Sequence, residues 1–311
     1  MKLGCCCWNF THPHYEAPYD DAVRTVGELG FRGVEMIVFT KRDLDEYYTP
    51  QKIDELRRLI ASYNLEISEF VLYAYCADGM ESLDRHKKEA ALETFGRAAK
   101  VARGLGSGTI NIVSHWIEGL RAPIPYPPSY IHPYVPGVDR QEPKLRMDLP
   151  EDLDWDAIWA NYIDSLRTCT AIAEDNGLIF TIEGHANVIV SGTDAMLRVF
   201  DAIPSPSIGV NFDTAWHLIQ REYLPISIGK LGSRIKHVHV RDADGNTNYN
   251  LPPGQGITDW HGVLEALQGV GYDGFLSMEF GGYKEPARYA GEARDYLQRV
   301  LNEVREGVYA Q

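Results

Sequence analysis

The sequence predicts a single α/β domain over residues 1–311, a (β/α)8 (TIM) barrel with a long loop after the fourth strand. Two observations carry this expectation. Short apolar runs alternate with helical patterns from end to end, and four runs in the second half each end on an acid or a histidine. Parallel strands need crossover helices, so eight strand-then-helix units in succession close into a barrel. A doubly wound open sheet is the alternative, but no glycine-rich fingerprint follows the first strand.

The strands fall at about 3–8 (LGCCCW), 33–38 (GVEMIV), 66–72 (EISEFVL), 109–113 (TINIV), 179–183, 208–212, 235–240 and 274–279. Between them apolar residues recur three and four apart, as on one face of a helix. Examples are Ile53/Leu56/Leu59/Ile60, Ala91/Phe95/Ala98/Ala99/Ala102 and Ile158/Tyr162/Leu166/Ile172. Gly30, Gly104, Gly177 and Gly271 each stand between a helical pattern and the next strand, where a helix C-cap glycine belongs. Cys5, Cys6 and Cys7 alternate faces on a first strand, so they read as small buried hydrophobes and not as a metal clamp. One stretch breaks the rhythm: residues 115–154 are rich in proline and tyrosine, which predicts a rigid, ordered loop over the active rim. A shorter loop, 242–259, follows the seventh strand and overhangs the same rim.

Composition sets the outer bounds. In a chain of 311 residues, 44% hydrophobic and 24% charged residues describe a globular protein with ample core. A net charge of −14 counts against binding to nucleic acid or an anionic membrane surface. No apolar run approaches a membrane span, so the expected location is the cytoplasm.

The acids and histidine that end the later strands are Glu183, Asp213, His239 and Glu279, at intervals of 30, 26 and 40 residues, near one strand-plus-helix unit each. In a parallel barrel all four emerge at the C-terminal rim, where they can converge on one divalent cation. Singly, such an acid is as often a helix N-cap as a ligand; four at successive strand ends are harder to dismiss. Three carboxylates and one imidazole make a hard site, suited to Mn2+ first and to Mg2+ or Co2+ next. His237 lies two residues before His239 on the same strand face, as a packed core histidine or a partner of the ligand. Around this set His115, at the end of the fourth strand, is a candidate base. His185, His217, Trp116 and Asp242 are candidate substrate contacts, with Asp242 equally able to cap its loop. Glu35 is a weaker candidate of the same kind, and Trp8, Phe39 and Trp216 also sit at strand ends, where aromatics can stack on a sugar.

The segments TIEGH (181–185), NFDTAWH (211–217), HVHVRD (237–242) and MEF (278–280), with the eight-unit layout over essentially the whole length, resemble the sugar-phosphate isomerase/epimerase group of the xylose-isomerase-like barrel superfamily. Relatives there include ketose 3-epimerases, keto-inositol dehydratases, sugar isomerases and the metal-bearing larger subunits of C-glycoside deglycosidases. The resemblance implies that Glu183, Asp213, His239 and Glu279 hold the metal and that Glu183 and Glu279 also move protons. The implied reaction is proton abstraction beside a carbonyl of a keto sugar, giving isomerisation or epimerisation. The alternative is β-elimination on a 3-keto-glycoside. His217 departs from the pattern, standing four residues after Asp213 where the group often places a substrate-binding histidine three after. A homo-oligomer is the expected assembly, with a small second subunit under the lyase alternative. Two other classes fit less well. A zinc endonuclease would need more metal histidines and a basic groove, and a non-catalytic carbohydrate-binding barrel has no reason to retain four ligands.

Overall fold

Runs of four to seven residues rich in β-branched and aliphatic side chains extend as strands, and the amphipathic stretches between them coil over their outer surface. In the computed structural model, which describes residues 1–11, 14–118, 120, 149–245 and 250–307, the strands are β1 (Lys2–Cys6), β2 (Gly33–Val38), β3 (Glu66–Leu72), β4 (Thr109–Val113), β5 (Ile179–Glu183), β6 (Ile208–Asp213), β7 (Ile235–Val240) and β8 (Phe275–Met278). Each pairs in parallel with its neighbours in sequence, and β8 pairs with β1, so the barrel closes in the order β1 to β8. The crossovers carry α1 (Asp20–Glu28), α2 (Pro50–Ser62), α3 (Arg85–Leu105), α4 (Trp155–Asp175), α5 (Thr193–Ala202), α6 (Thr214–Ile219), α7 (Leu224–Leu231) and α8 (Trp260–Gly269), and α9 (Pro286–Glu306) follows β8. Among the described residues no helix is long and apolar enough to cross a membrane.

The expected strands stand where the sequence puts them, with informative differences at their ends. β1 stops at Cys6, and Cys7–Phe10 form a 3-10 turn that carries Trp8 and Asn9 over the rim. The Asn9 amide then clasps β8 to β1: its Nδ2 donates to the Met278 carbonyl (2.9 Å) and its Oδ1 accepts from the Phe280 N–H (3.0 Å). All five cysteines are free and buried. Gly30, Gly177 and Gly271 take the left-handed conformation expected of helix-ending glycines, but Gly104 lies inside α3; the residue that ends that helix at positive φ (+90°) is Gly106. The long loop expected over the rim lies, for residues 119 and 121–148, outside the described residues.

Alternation along each strand sorts the side chains into two cores. Outward-facing Met36, Phe70, Ile112, Phe180, Phe212, Val238 and Leu276 are buried beneath Leu56, Phe95, Leu166, Met196, Leu264 and Leu297 of the helices. Each such side chain contributes about 1.5–3 kcal/mol when fully removed from water. The inward-facing positions are different: Glu35, Glu69, Asn111, Thr181, Glu183, Asn211, Asp213, His237 and His239 fill the barrel with polar groups, each at most 2% exposed. A barrel usually packs this space with branched aliphatics. A polar interior must be hydrogen-bonded through, and that requirement builds the site.

Candidate active site

Register decides which inward side chains meet. Glu183 stands opposite Asn211, and Asp213 opposite His239, so the acids of β5 and β6 and the imidazole of β7 lie level at the C-terminal rim. Glu279, one residue past β8, completes the ring, and one donor atom from each of the four lies within 4.8 Å of the others. His239 Nδ1 is 3.3 Å from Glu279 Oε2, 3.4 Å from Glu183 Oε2 and 3.8 Å from Asp213 Oδ2. Ligands about 2.1 Å from an octahedral cation sit roughly 3–4 Å from one another, so these spacings suit such an ion. Glu279 Oε2 is buried and accepts no hydrogen bond, as expected of an oxygen whose partner is a cation. The residues therefore fit a divalent metal; its identity is left open by the geometry.

Neighbours fix the rim residues. Glu183 Oε2 accepts from Asn111 Nδ2 and Asn211 Nδ2 (3.1 Å each), and its Oε1 lies 2.8 Å from His185 Nε2. Burial raises the Glu183 carboxyl, but the His239 and His185 imidazoles outweigh it and hold it well below the usual range. Asp213 Oδ1 caps α6 by accepting from the Trp216 N–H (2.8 Å), and its Oδ2 accepts from Arg241 Nε (2.8 Å). Burial still leaves that carboxyl raised, with Arg241 opposing. Arg241 Nε also approaches Glu279 Oε2 (3.4 Å), and its guanidinium lies over the Trp216 ring. Burial pushes Glu279 up, and Arg241 and His239 bring it net below its ordinary value.

Beneath the ring lies a second layer. Glu35 of β2 bridges two imidazoles of β7 across the barrel: Oε2 lies 2.9 Å from His237 Nε2, and Oε1 lies 2.7 Å from His239 Nε2. Since a carboxylate only accepts, His239 carries its proton on Nε2 and turns the Nδ1 lone pair toward the three rim acids. Burial raises the Glu35 carboxyl, but His239 and His237 together hold it at about 2. Glu69 of β3 accepts from Thr181 Oγ1 (2.8 Å), and burial lifts it to about 7. Glu35, Glu69, His237 and His239 also lie within mutual ligand distance, yet both Glu35 oxygens already hold hydrogen bonds, so this layer reads as support for the rim set.

A cavity of about 390 Å3 opens above the ring. Glu183, His185, His239 and Glu279 form one side of it, with Asn250 and Phe280; Trp8, Tyr15, Phe39, Tyr73, Tyr75 and Trp116 form an aromatic side. His185 and Trp116, expected at the substrate, thus line the cavity. Three other expected residues stand outside its wall. His115 turns toward α4, where its N–H donates to the Tyr162 hydroxyl (3.1 Å) and its Nδ1 lies 3.2 Å from the same oxygen. Burial lowers its pKa to about 4 and keeps it neutral. His217 is fully buried, stacked on Phe212 and bonded to Glu222 (2.9 Å). Its neighbour Trp216, also buried, stacks on His185 from behind the cavity wall, with ring centroids 4.3 Å apart. Asp242 takes its capping alternative: its carboxylate accepts from the N–H groups of Ala243, Gly254 and Thr258 and from Trp260 Nε1, pinning the described part of the loop over 242–259.

Known proteins match along the whole chain. Fructoselysine 3-epimerase of Escherichia coli O157:H7 is 23% identical over 97% of this chain and 99% of its own length. Inosose dehydratase of Clostridium beijerinckii is 26% identical over 45% of this chain and 54% of its own. Among solved structures, the D-psicose 3-epimerase of Clostridium cellulolyticum H10, crystallised with D-tagatose, superposes with a TM-score of 0.76 at 20% identity, covering 97% of this chain and 99% of that one. The IOLI protein, crystallised with a zinc atom, superposes at 0.70 with 17% identity over the full length of both chains. The sequence model of the xylose isomerase-like TIM barrel matches residues 23–300, and the chain belongs to that family.

Proposed function

We propose that the protein is a divalent-metal-dependent isomerase or epimerase that removes a proton beside the carbonyl of a keto sugar. The convergence of Glu183, Asp213, His239 and Glu279 beneath an open cavity carries this reading, and the full-length relative that epimerises a sugar at carbon 3 supports the reaction class. The metal, Mn2+ in this proposal, supplies a Lewis acid for the carbonyl oxygen and so lowers the cost of the enediolate by several kcal/mol. Glu279 is the base: its carboxylate lines the cavity, and while Oε2 faces the metal position, Oε1, held by Trp8 Nε1 (3.3 Å), is the oxygen that takes the proton. The carbon-bound proton passes to Glu279, leaving the electron pair in the enediolate. A proton drawn from solvent through the His185 imidazole, bonded to Glu183, goes to the enediolate carbon from the Glu183 side, and Glu279 releases the proton it took to solvent, which restores both groups. Return to the same carbon from the other face gives an epimer, and return to the neighbouring carbon gives an isomer. His185 and Trp116 bind the sugar. The proposed assembly is a homo-oligomer, measurable by size-exclusion chromatography with light scattering.

Incubation with D-fructose, D-tagatose and D-psicose in D2O, followed by NMR, tests the reading. Deuterium appears at a carbon beside the carbonyl with the unmodified protein and is lost in Glu279→Gln and Glu183→Gln, which keep the unmodified far-ultraviolet spectrum. Absence of exchange into every ketose offered rejects the isomerase reading.

The dehydratase relatives favour one second reading, β-elimination from a 3-keto-glycoside, in which the same base takes the proton at C2 and the group at C1 leaves. Release of the C1 group, without exchange into free ketoses, selects it. Under that reading a small second subunit is part of the active assembly.

A further inference from the structure

Resting on the keto-sugar reading, we propose that Trp216 is a positioning residue for the proton return: it fixes the plane of the His185 imidazole and so sets how much enediolate goes on to product. Glu183 Oε1, 2.8 Å from His185 Nε2, fixes one point of that ring. One hydrogen bond leaves the ring free to swing about it, because the last torsion of a histidine is broad and roughly two-fold. A flat contact on the ring face removes that freedom. The indole of Trp216 supplies one, with centroids 4.3 Å apart and planes 27° apart, and Trp116 meets the same imidazole edge-on at 6.3 Å and 83°. Nε2 then stays on Glu183, and Nδ1 is the nitrogen left to serve the substrate carbon.

The platform is itself held on several sides. Although only 1% exposed, Trp216 stands apart from the aliphatic core between strands and helices. It lies in the first turn of α6, where its N–H donates to Asp213 Oδ1 (2.8 Å). The Arg241 guanidinium lies 5.0 Å from the indole centroid and bonds Asp213 as well. The next residue ties α6 to its neighbours: His217 Nδ1 lies 2.9 Å from Glu222 Oε2, and Glu222 also accepts from the Thr193 N–H of α5 (2.9 Å) and from Ser227 Oγ of α7 (2.6 Å). Three helices thus hold one indole against one imidazole, and Asp213 references that imidazole to the metal position. In the proposed reaction, return of a proton from Glu279 restores the starting sugar. When the imidazole instead gives its N–H proton to the enediolate carbon and regains one from water, product forms. Misaligning His185 therefore slows the second route and spares the first.

In D2O the first route puts deuterium into the recovered starting ketose and the second puts it into product, so NMR on the Mn2+-loaded protein reads both, with D-fructose, D-tagatose and D-psicose offered in turn. The ratio of product to deuterated starting ketose is expected to fall about tenfold in Trp216→Leu, a part of the roughly 100–10,000-fold that a positioned proton donor contributes. Trp216→Phe, which keeps a ring under the imidazole, restores most of the ratio. Mn2+ affinity holds in both variants, because the bond to Asp213 comes from the backbone of residue 216. Both routes slowing in proportion, an unchanged ratio, or a ratio as low with Phe as with Leu overturns the proposal. A second reading needs no variant to fold: in the unmodified protein the carbon-bound ring protons of His185 lie upfield, as over an indole face, and ordinary shifts there overturn it too. Absence of exchange into every ketose with the unmodified protein sinks the keto-sugar reading itself, and the ring shift of His185 tells that outcome apart from failure of the stack.

Discussion

Glu35 shows how much of the site a single side chain sets. Its two oxygens hold His237 and His239 from across the barrel, and this contact places the His239 Nε2 proton on Glu35 and turns Nδ1 toward the rim acids. Glu35→Gln puts an amide N–H against one of the two imidazole N–H groups. The variant is expected to fold and to bind Mn2+ or Zn2+ about 10–100-fold more weakly by calorimetry, the usual effect of losing a ligand's hydrogen-bond partner. Affinity within twofold of the unmodified protein would show that the tautomer is held by something else. The four rim residues were legible because each ends an apolar run, where barrel topology dictates convergence. Arg241 could have been found: in HVHVR the period of two puts His237, His239 and Arg241 on one face. Asn111, Asn211 and Glu69 gave the same kind of signal, a lone polar residue amid an apolar strand. The orientations of His115 and His217 were not legible, since both depend on ring contacts with Tyr162 and Phe212, and strand and helix spacing does not fix a rotamer.

At the scale of elements, strand ends and the loops above them divide the labour. The loop after β7 hangs on one carboxylate, and Asp242→Ala would leave four donors, three of them backbone N–H groups, without their acceptor. We expect a loss of about 3 kcal/mol in urea unfolding, with metal affinity little changed, because no rim ligand touches Asp242. The join between β4 and α4 makes a second prediction, through pH. Burial depresses the His115 pKa from 6.5 to about 4, so the folded chain binds that proton less readily than the unfolded one. Its contribution is therefore complete above about pH 6.5 and is lost as pH falls toward 4. Thermal melts across that window should show a shallower acid slope in His115→Gln than in the unmodified protein. Strand positions were legible to within a residue or two, whereas ends were set by contacts that no local pattern carries, such as the Asn9 clasp that takes over where β1 stops.

For the molecule as a whole, the polar barrel interior would link stability to the proposed metal. Glu35, Glu183, Asp213 and Glu279 crowd acidic groups into a space where Arg241 is the permanent balancing cation. The proposed ion would relieve that repulsion and bind only the folded chain, so chelation should lower the melting temperature, and Mn2+ at 100 times its dissociation constant should restore about 2.7 kcal/mol. An unchanged melting curve after complete metal removal would argue against the rim site. The clasp between Asn9 and the two residues flanking Glu279 has a further consequence, in time as well as in space. The four ligands all lie in the second half of the chain, yet the residues that aim two of them, Glu35 for His239 and Trp8 with Asn9 for Glu279, lie within the first 35. A ribosome-bound chain that has emerged through β7 carries three of the four ligands but has no β8 to meet β1. Under the proposed metal site, tight capture would wait for the last strand to reach the first, so the moment of metal uptake during refolding would mark barrel closure.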